Sequence, residues 1–160
     1  RSGWMEPSFD DSAWRTIIVP GCWENQGGTE ANPQFPKAER PYDGYTWYRC
    51  TVTIPEDMKG QNISLLLGAV DDMDTTYLNG RQIGQTGKDT ESYWVVVRDY
   101  PIPPEAVRYG SKNVIAVKVF DDYLDGGIIG PELEIHVRKQ DTFPYLDEKP
   151  AFNPYKLRRW

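Results

Sequence analysis

The stretch Thr75-Thr76-Tyr77-Leu78-Asn79-Gly80-Arg81-Gln82-Ile83-Gly84 decides the fold. A β-branched and aromatic run enters Asn-Gly, and a second short run leaves it. Asn and Gly tolerate the positive φ that both central residues of a type I′ turn require, and that turn suits the twist of two antiparallel strands. The stretch reads as a hairpin, so its surroundings are read for period-2 alternation.

Upstream, residues 62–68 place Ile63, Leu65 and Leu67 on one face. Residues 47–54 put Tyr48, Cys50, Val52 and Ile54 inward and Arg49, Thr51 and Thr53 outward, and Pro55 ends the run. Residues 15–19 predict a further strand, stopped by Pro20-Gly21. Downstream, residues 94–100 predict a strand rich in Val and aromatics, and residues 105–109 one helical turn. Residues 113–120 form a nearly continuous apolar run, as expected of a central strand covered on both faces. In the last run Leu133, Ile135 and Val137 point inward, and Glu134, His136 and Arg138 outward. Phe9 and Trp14 read as anchors of an opening turn, and residues 24–45 as a long loop without periodicity. The count is about eight strands at sandwich-like spacing, which predicts an all-β, two-sheet antiparallel β-sandwich.

Composition agrees. A length of 160 residues implies one domain, placed at residues 1–140, with 141–160 as a C-terminal arm or linker ending in Lys156-Leu157-Arg158-Arg159-Trp160. The aromatic content of 13% is too high for a disordered chain, and 14 Gly with 13 Pro exclude a helical bundle. A net charge of −6 repels phosphate, so neither nucleic acid nor an anionic membrane is an expected partner. No apolar run approaches the ~20 residues of a membrane span, and the N-terminus lacks a signal-peptide pattern. A chain opening on Arg1 reads as mature, or as a piece of a longer one.

The single histidine, His136, is expected on a solvent face, which argues against a His-dependent triad, and there is no Gly-x-Ser-x-Gly elbow. Cys22 and Cys50 are read either as two buried thiols or as a pair bonded across the sandwich, and they make no zinc set with one His. Asp71-Asp72-Met73-Asp74 and Asp121-Asp122-Tyr123-Leu124-Asp125 are the dense acidic runs. They fit turn-forming aspartates, a structural calcium site, or, with no spacing motif in support, a catalytic acid pair. No catalytic residue and no metal ligand is assigned. Loop aromatics beside hydrogen-bonding groups suggest sugar recognition, because a flat ring buries the CH face of a pyranose while polar neighbours orient its hydroxyls. Trp23, Glu24, Tyr45, Asp72, Asp122 and Tyr123 are the expected ligand-binding residues; packing on the sandwich is the alternative role for each ring.

Several segments in order strengthen this reading. Phe9-Asp10-Asp11-Ser12-x-Trp14, Val19-Pro20-Gly21-Cys22-Trp23-Glu24, Trp47-Tyr48-Arg49 and Gly68-x-Val70-Asp71-Asp72-Met73-Asp74 come first. Tyr77-Leu78-Asn79-Gly80, Arg98-x-Tyr100-x-Ile102-Pro103, Asn113-x-Ile115-Ala116-Val117 and Gly126-Gly127-Ile128-x-Gly130-Pro131 follow. Together they resemble the sugar-binding jelly-roll domain of glycoside hydrolase family 2, also found inserted in bacterial sialate O-acetylesterases. The resemblance implies a galactose-binding-like sandwich that accompanies the catalytic domain of a larger enzyme. From it follow two expectations. One is a carbohydrate-binding module of a secreted or periplasmic polysaccharide-degrading enzyme. The other is a module that buttresses a catalytic domain, or lends it a loop, without sugar affinity of its own. Domains of this family open with a strand before the Phe-Asp-Asp-Ser segment; here only a short stretch precedes it.

Overall fold

The computed structural model describes residues 3–31, 39–130 and 133–138. The arm expected at 141–160 lies outside the described residues. The strands are β1 (Gly21–Cys22), β2 (Thr29–Ala31), β3 (Glu39–Pro41), β4 (Gly44–Ile54), β5 (Ile63–Gly68) and β6 (Val70–Asp71). They continue with β7 (Met73–Leu78), β8 (Arg81–Thr86), β9 (Arg98–Pro101), β10 (Ser111–Asp121), β11 (Gly127–Ile128) and β12 (Glu134–Val137).

Two antiparallel sheets form the sandwich, ordered β4-β10-β7-β8 and β12-β5-β9. The hairpin is as expected: Leu78 faces Arg81, with Asn79 at φ 52° and Gly80 at φ 85°. Strand β10 sits between β4 and β7 and is apolar on its inward face, with Ile115, Val117 and Val119 fully buried. These pack with Ile54, Leu65, Leu67 and Leu78 in one core. Further pairings escape periodicity because they are only two or three residues long: a small sheet ordered β1-β11-β6, and a hairpin of β2 with β3 inside the region expected to be a bare loop.

Four expectations are corrected. Residues 15–19 form no strand. The amide carboxamide of Gln26 takes the place of a ladder partner there, accepting from Ile18 N–H at 2.7 Å and donating to Ile18 C=O at 2.9 Å, and Ile18 is 67% exposed. Residues 94–97 are also not strand. The chain turns there, Val95 and Val96 N–H both donating to Ser92 C=O, and pairing begins only at Arg98. Val137, at the end of edge strand β12, is exposed, while His136 is half-buried and bonded to Asp99 at 2.9 Å.

The fourth correction is Arg49, which is buried. The opening segment crosses the outer face of β4, and Arg49 ties it down. Its guanidinium pairs with Asp11 at 2.9 Å and donates to the carbonyls of Trp4, Glu6 and Phe9. Trp4 meets Trp14 and Trp47 edge-on, and Phe9 packs on Trp14. Turns anchored by aromatics and one arginine thus cover a face where the resemblance led one to expect a strand. Phe9 and Trp14 are anchors, as expected.

Candidate functional site: an acidic rim beside the loop after β10

The small sheet β1-β11-β6 gathers the carboxylates of distant segments at one end of the sandwich. Strand β10 ends at Asp121, and the chain must then return as β11 between β1 and β6. Glycine makes the return possible. A Cβ on Gly126 would lie 2.2 Å from the Trp23 ring, and one on Gly127 2.8 Å from the carbonyl oxygen of Gly21.

The acids hold this loop through backbone N–H groups. Asp72 Oδ2 accepts from Asp122 N–H at 2.8 Å, Asp121 Oδ1 from Tyr123 N–H at 3.3 Å, and Glu24 Oε2 from Gly126 N–H at 3.1 Å. Asp72 N–H in turn donates to Phe120 C=O, and Arg98 donates to Asp72 C=O at 2.8 Å. Asp122 also pairs with Lys88 at 2.9 Å. Aspartates acting as turn acceptors match one of the readings of the two acidic runs. Among the described residues no three acidic, His or Cys side chains converge as a metal-ligand set.

Crowded carboxylates at partial burial resist ionisation. Burial pushes Asp71 up to about 7, and the neighbouring Asp72 adds to this. Burial also pushes Asp121 up to about 6; the N–H groups of Tyr123 and Asp122 oppose the rise, and Asp72 and Asp43 reinforce it. Glu24 is raised by burial against the opposing Gly126 N–H. The other oxygen of Glu24 and that of Asp121 are buried without a hydrogen bond among the described residues. Cys22 and Cys50 are free thiols, both held protonated by burial.

Of the six expected binding residues, the structure brings Asp72, Asp122 and Tyr123 together at this rim, with Tyr123 74% exposed. Glu24 joins them from below, through Gly126. Trp23 does not serve. It is 2% exposed, stacked on Tyr48 and edge-on to Tyr42, with its indole N–H bonded to Tyr42 C=O, so no ring face is open to a sugar. Tyr45 lies not in a loop but on β4, facing outward beside Phe120. Sequence reasoning missed Lys88 and Arg98 as rim-organising groups. Arg98 stood in a recognised segment, but nothing marked its side chain as reaching the Asp72 carbonyl. Beside the rim the turn at 92–97 exposes Trp94, Val95 and Val97, and Leu124 is exposed on the loop itself.

Two packed antiparallel sheets with an acidic rim, its acids engaged as loop acceptors, put the chain in the class of all-β sandwich domains. The chain belongs to the family described as the beta-galactosidase second all-beta domain, whose model matches residues 1–125. It is an accessory all-β domain of the family-2 glycosidase type, as the resemblance implied. It is 33% identical over 88 residues to a beta-galactosidase of Vibrio cholerae, covering 50% of this chain and 9% of that protein. To a beta-glucuronidase of Formosa agariphila it is 24% identical over 117 residues, covering 72% of this chain and 11% of the relative. The crystal structure of a Bacteroides uniformis beta-glucuronidase superimposes with a TM-score of 0.63 at 26% identity, covering 80% of this chain and 15% of that one. The chain therefore spans only a small fraction of the length of the proteins it matches.

Proposed function

We propose that this domain recognises carbohydrate at the Asp72–Asp122–Tyr123 rim, as the accessory part of a larger polysaccharide-degrading glycosidase whose chemistry resides elsewhere. The observation that carries this reading is the Asp72 to Asp122 N–H clamp. It fixes the loop after β10 with the Asp122 carboxylate and the Tyr123 ring outward, one to accept sugar hydroxyls and the other to cover a pyranose CH face. The test is affinity electrophoresis of the chain in gels containing plant and algal polysaccharides. Retardation that Tyr123→Ala abolishes supports the rim; retardation that Tyr123→Ala and Asp122→Asn leave intact refutes it.

The exposed apolar side chains of Trp94, Val95, Val97 and Leu124 favour a second reading, in which this end docks on a catalytic domain and lends it the rim loop. Under that reading the chain alone shows no glycan affinity. Joined to a catalytic domain, Tyr123→Ala and Asp122→Asn raise KM without unfolding the protein.

A further inference from the structure

We propose a second carbohydrate site, on the outer face of the four-stranded sheet, that takes a pyranoside bearing a carboxylate. The cross-strand register builds it. Phe120 lies opposite Tyr45 on one side and Met73 on the other; Lys118 lies opposite Trp47 and Thr75; Thr75 lies opposite Gln85. All point away from the core, because the alternate positions Val117, Val119, Asp74 and Thr76 are buried. The opening segment covers the far part of this face through Trp4 on Trp47 and the bonds of Arg49, and it stops short of Tyr45, which is 58% exposed. What stays open is a groove of about 250 Å³ that none of Asp72, Asp122 or Tyr123 lines.

The groove pairs a solvent-exposed aromatic platform with a cation that, among the described residues, has no anionic partner. Tyr45 and Phe120 have ring centroids 4.7 Å apart, tilted at 52°. The Lys118 ammonium rests 4.0 Å above the Tyr45 centroid, and among the described residues no carboxylate pairs with it. Gln85, Thr75 and Asp89 also line the groove and supply hydrogen-bonding groups.

This arrangement distinguishes ligands by charge. A ring quadrupole is a weak partner for an ammonium, and a carboxylate is a stronger one. An acidic sugar draws Lys118 off the ring by offering that stronger partner, and the same movement bares the Tyr45 face for the sugar's CH patch. A neutral sugar must displace the ammonium with nothing in return. Asp89, in the same groove, accepts hydroxyls and repels a second acidic group, which fixes the ligand's carboxylate at the Lys118 end. With a chain charge of −6, general attraction of polyanions is opposed, so any binding must come from this local cation.

The test is an amide-resonance titration of the full chain with trigalacturonate and, separately, with its methyl ester. The proposal expects the free acid to shift resonances at Tyr45, Gln85, Lys118 and Phe120. It expects affinity to weaken on the order of tenfold or more in Lys118→Gln, in Tyr45→Ala and for the ester on the native chain. Equal affinity for acid and ester, shifts confined to residues 121–126, or no shift at millimolar trisaccharide would overturn it. The ester comparison needs no variant and so stands even if Tyr45→Ala misfolds. Tyr123→Ala separates the two sites. Trigalacturonate binding that is lost in Tyr123→Ala overturns this proposal, because Tyr123 does not line the groove, whereas polysaccharide retardation that survives Tyr123→Ala and Asp122→Asn overturns only the rim.

Discussion

Arg98 and Asp74 form an ion pair at 3.0 Å with neither side chain exposed, joining β9 of one sheet to β7 of the other. Thr76 and Tyr100 hydroxyls fill the remaining lone pairs of Asp74 at 2.7 to 3.1 Å, and Arg98 spends its other N–H groups on the carbonyls of Val96 and Asp72. The same guanidinium thus crosses the sandwich interior and supports the peptide on which the rim clamp stands. A buried charge left alone is costly, so Asp74→Asn or Arg98→Met should each destabilise by about 3–5 kcal/mol. The double variant should lose less than the sum of the two. Urea unfolding of all three proteins measures this; additive losses would show that the pair is not coupled.

Stability should fall as pH rises from 5 to 8. Asp71 and Asp121 have folded-state values of about 7 and about 6 against the ordinary aspartate value of 3.8. The folded chain therefore holds more protons than the unfolded chain across this window, and unfolding is favoured as they are lost. The contribution is complete below the unfolded value and gone once pH passes the folded one. Melting curves at half-unit intervals should show Tm highest near pH 5, and Asp71→Asn with Asp121→Asn should flatten the slope. A Tm that rises toward pH 8 in the native chain contradicts the assignment.

Gly84 is set by close approach. A Cβ there would lie 2.2 Å from the Tyr100 ring, whose own hydroxyl is fixed by the Thr86 hydroxyl and the Asp74 carboxylate. Gly84→Ala should cost about 1–3 kcal/mol through forced displacement of that ring. The measurement is the urea midpoint at unchanged m-value, and a neutral result would mean that β8 shifts freely over β9.

Where one face of a strand meets the core and the other meets water, the sequence was legible. Ile63, Leu65 and Leu67 and the Asn79-Gly80 turn fall as alternation and turn chemistry require, and the run at 113–120 is the central strand expected, although Lys118 and Phe120 on its outer side line an open groove instead of meeting a second layer. Arg49 was misread because its outer face is covered by a segment from the other end of the chain, a tertiary fact that no local period carries. Residues 94–97 were misread because β propensity reports fitness for a half-buried pleat, and here no partner strand is supplied. At the rim, residue type singled out Asp72 and Asp122, and the structure brings the two together. What could not be read is that both act first as backbone acceptors, since the loop after β10 reaches Asp72 only through strand order. The outward set at Tyr45, Lys118 and Phe120 was within reach, because the hairpin and the central strand together fix the parity of that face.

Trp23 and Tyr123, both expected as sugar-stacking rings, should behave in opposite ways when truncated. Trp23 fills the space between Tyr42, Tyr48 and Gly126, so Trp23→Ala should cost about 3–5 kcal/mol by leaving a cavity. Tyr123 stands in solvent, its backbone rather than its ring held by Asp121. Tyr123→Ala should change stability by no more than about 0.5 kcal/mol. If the rim binds sugar, loss of that ring should weaken binding roughly tenfold, the size expected of one exposed stacking contact. Thermal melts and affinity gels on the same two proteins decide it. A stable Trp23→Ala protein would mean that the ring is not the keystone of this end, and a Tyr123→Ala protein with lowered Tm would mean that its ring packs rather than waits for a ligand.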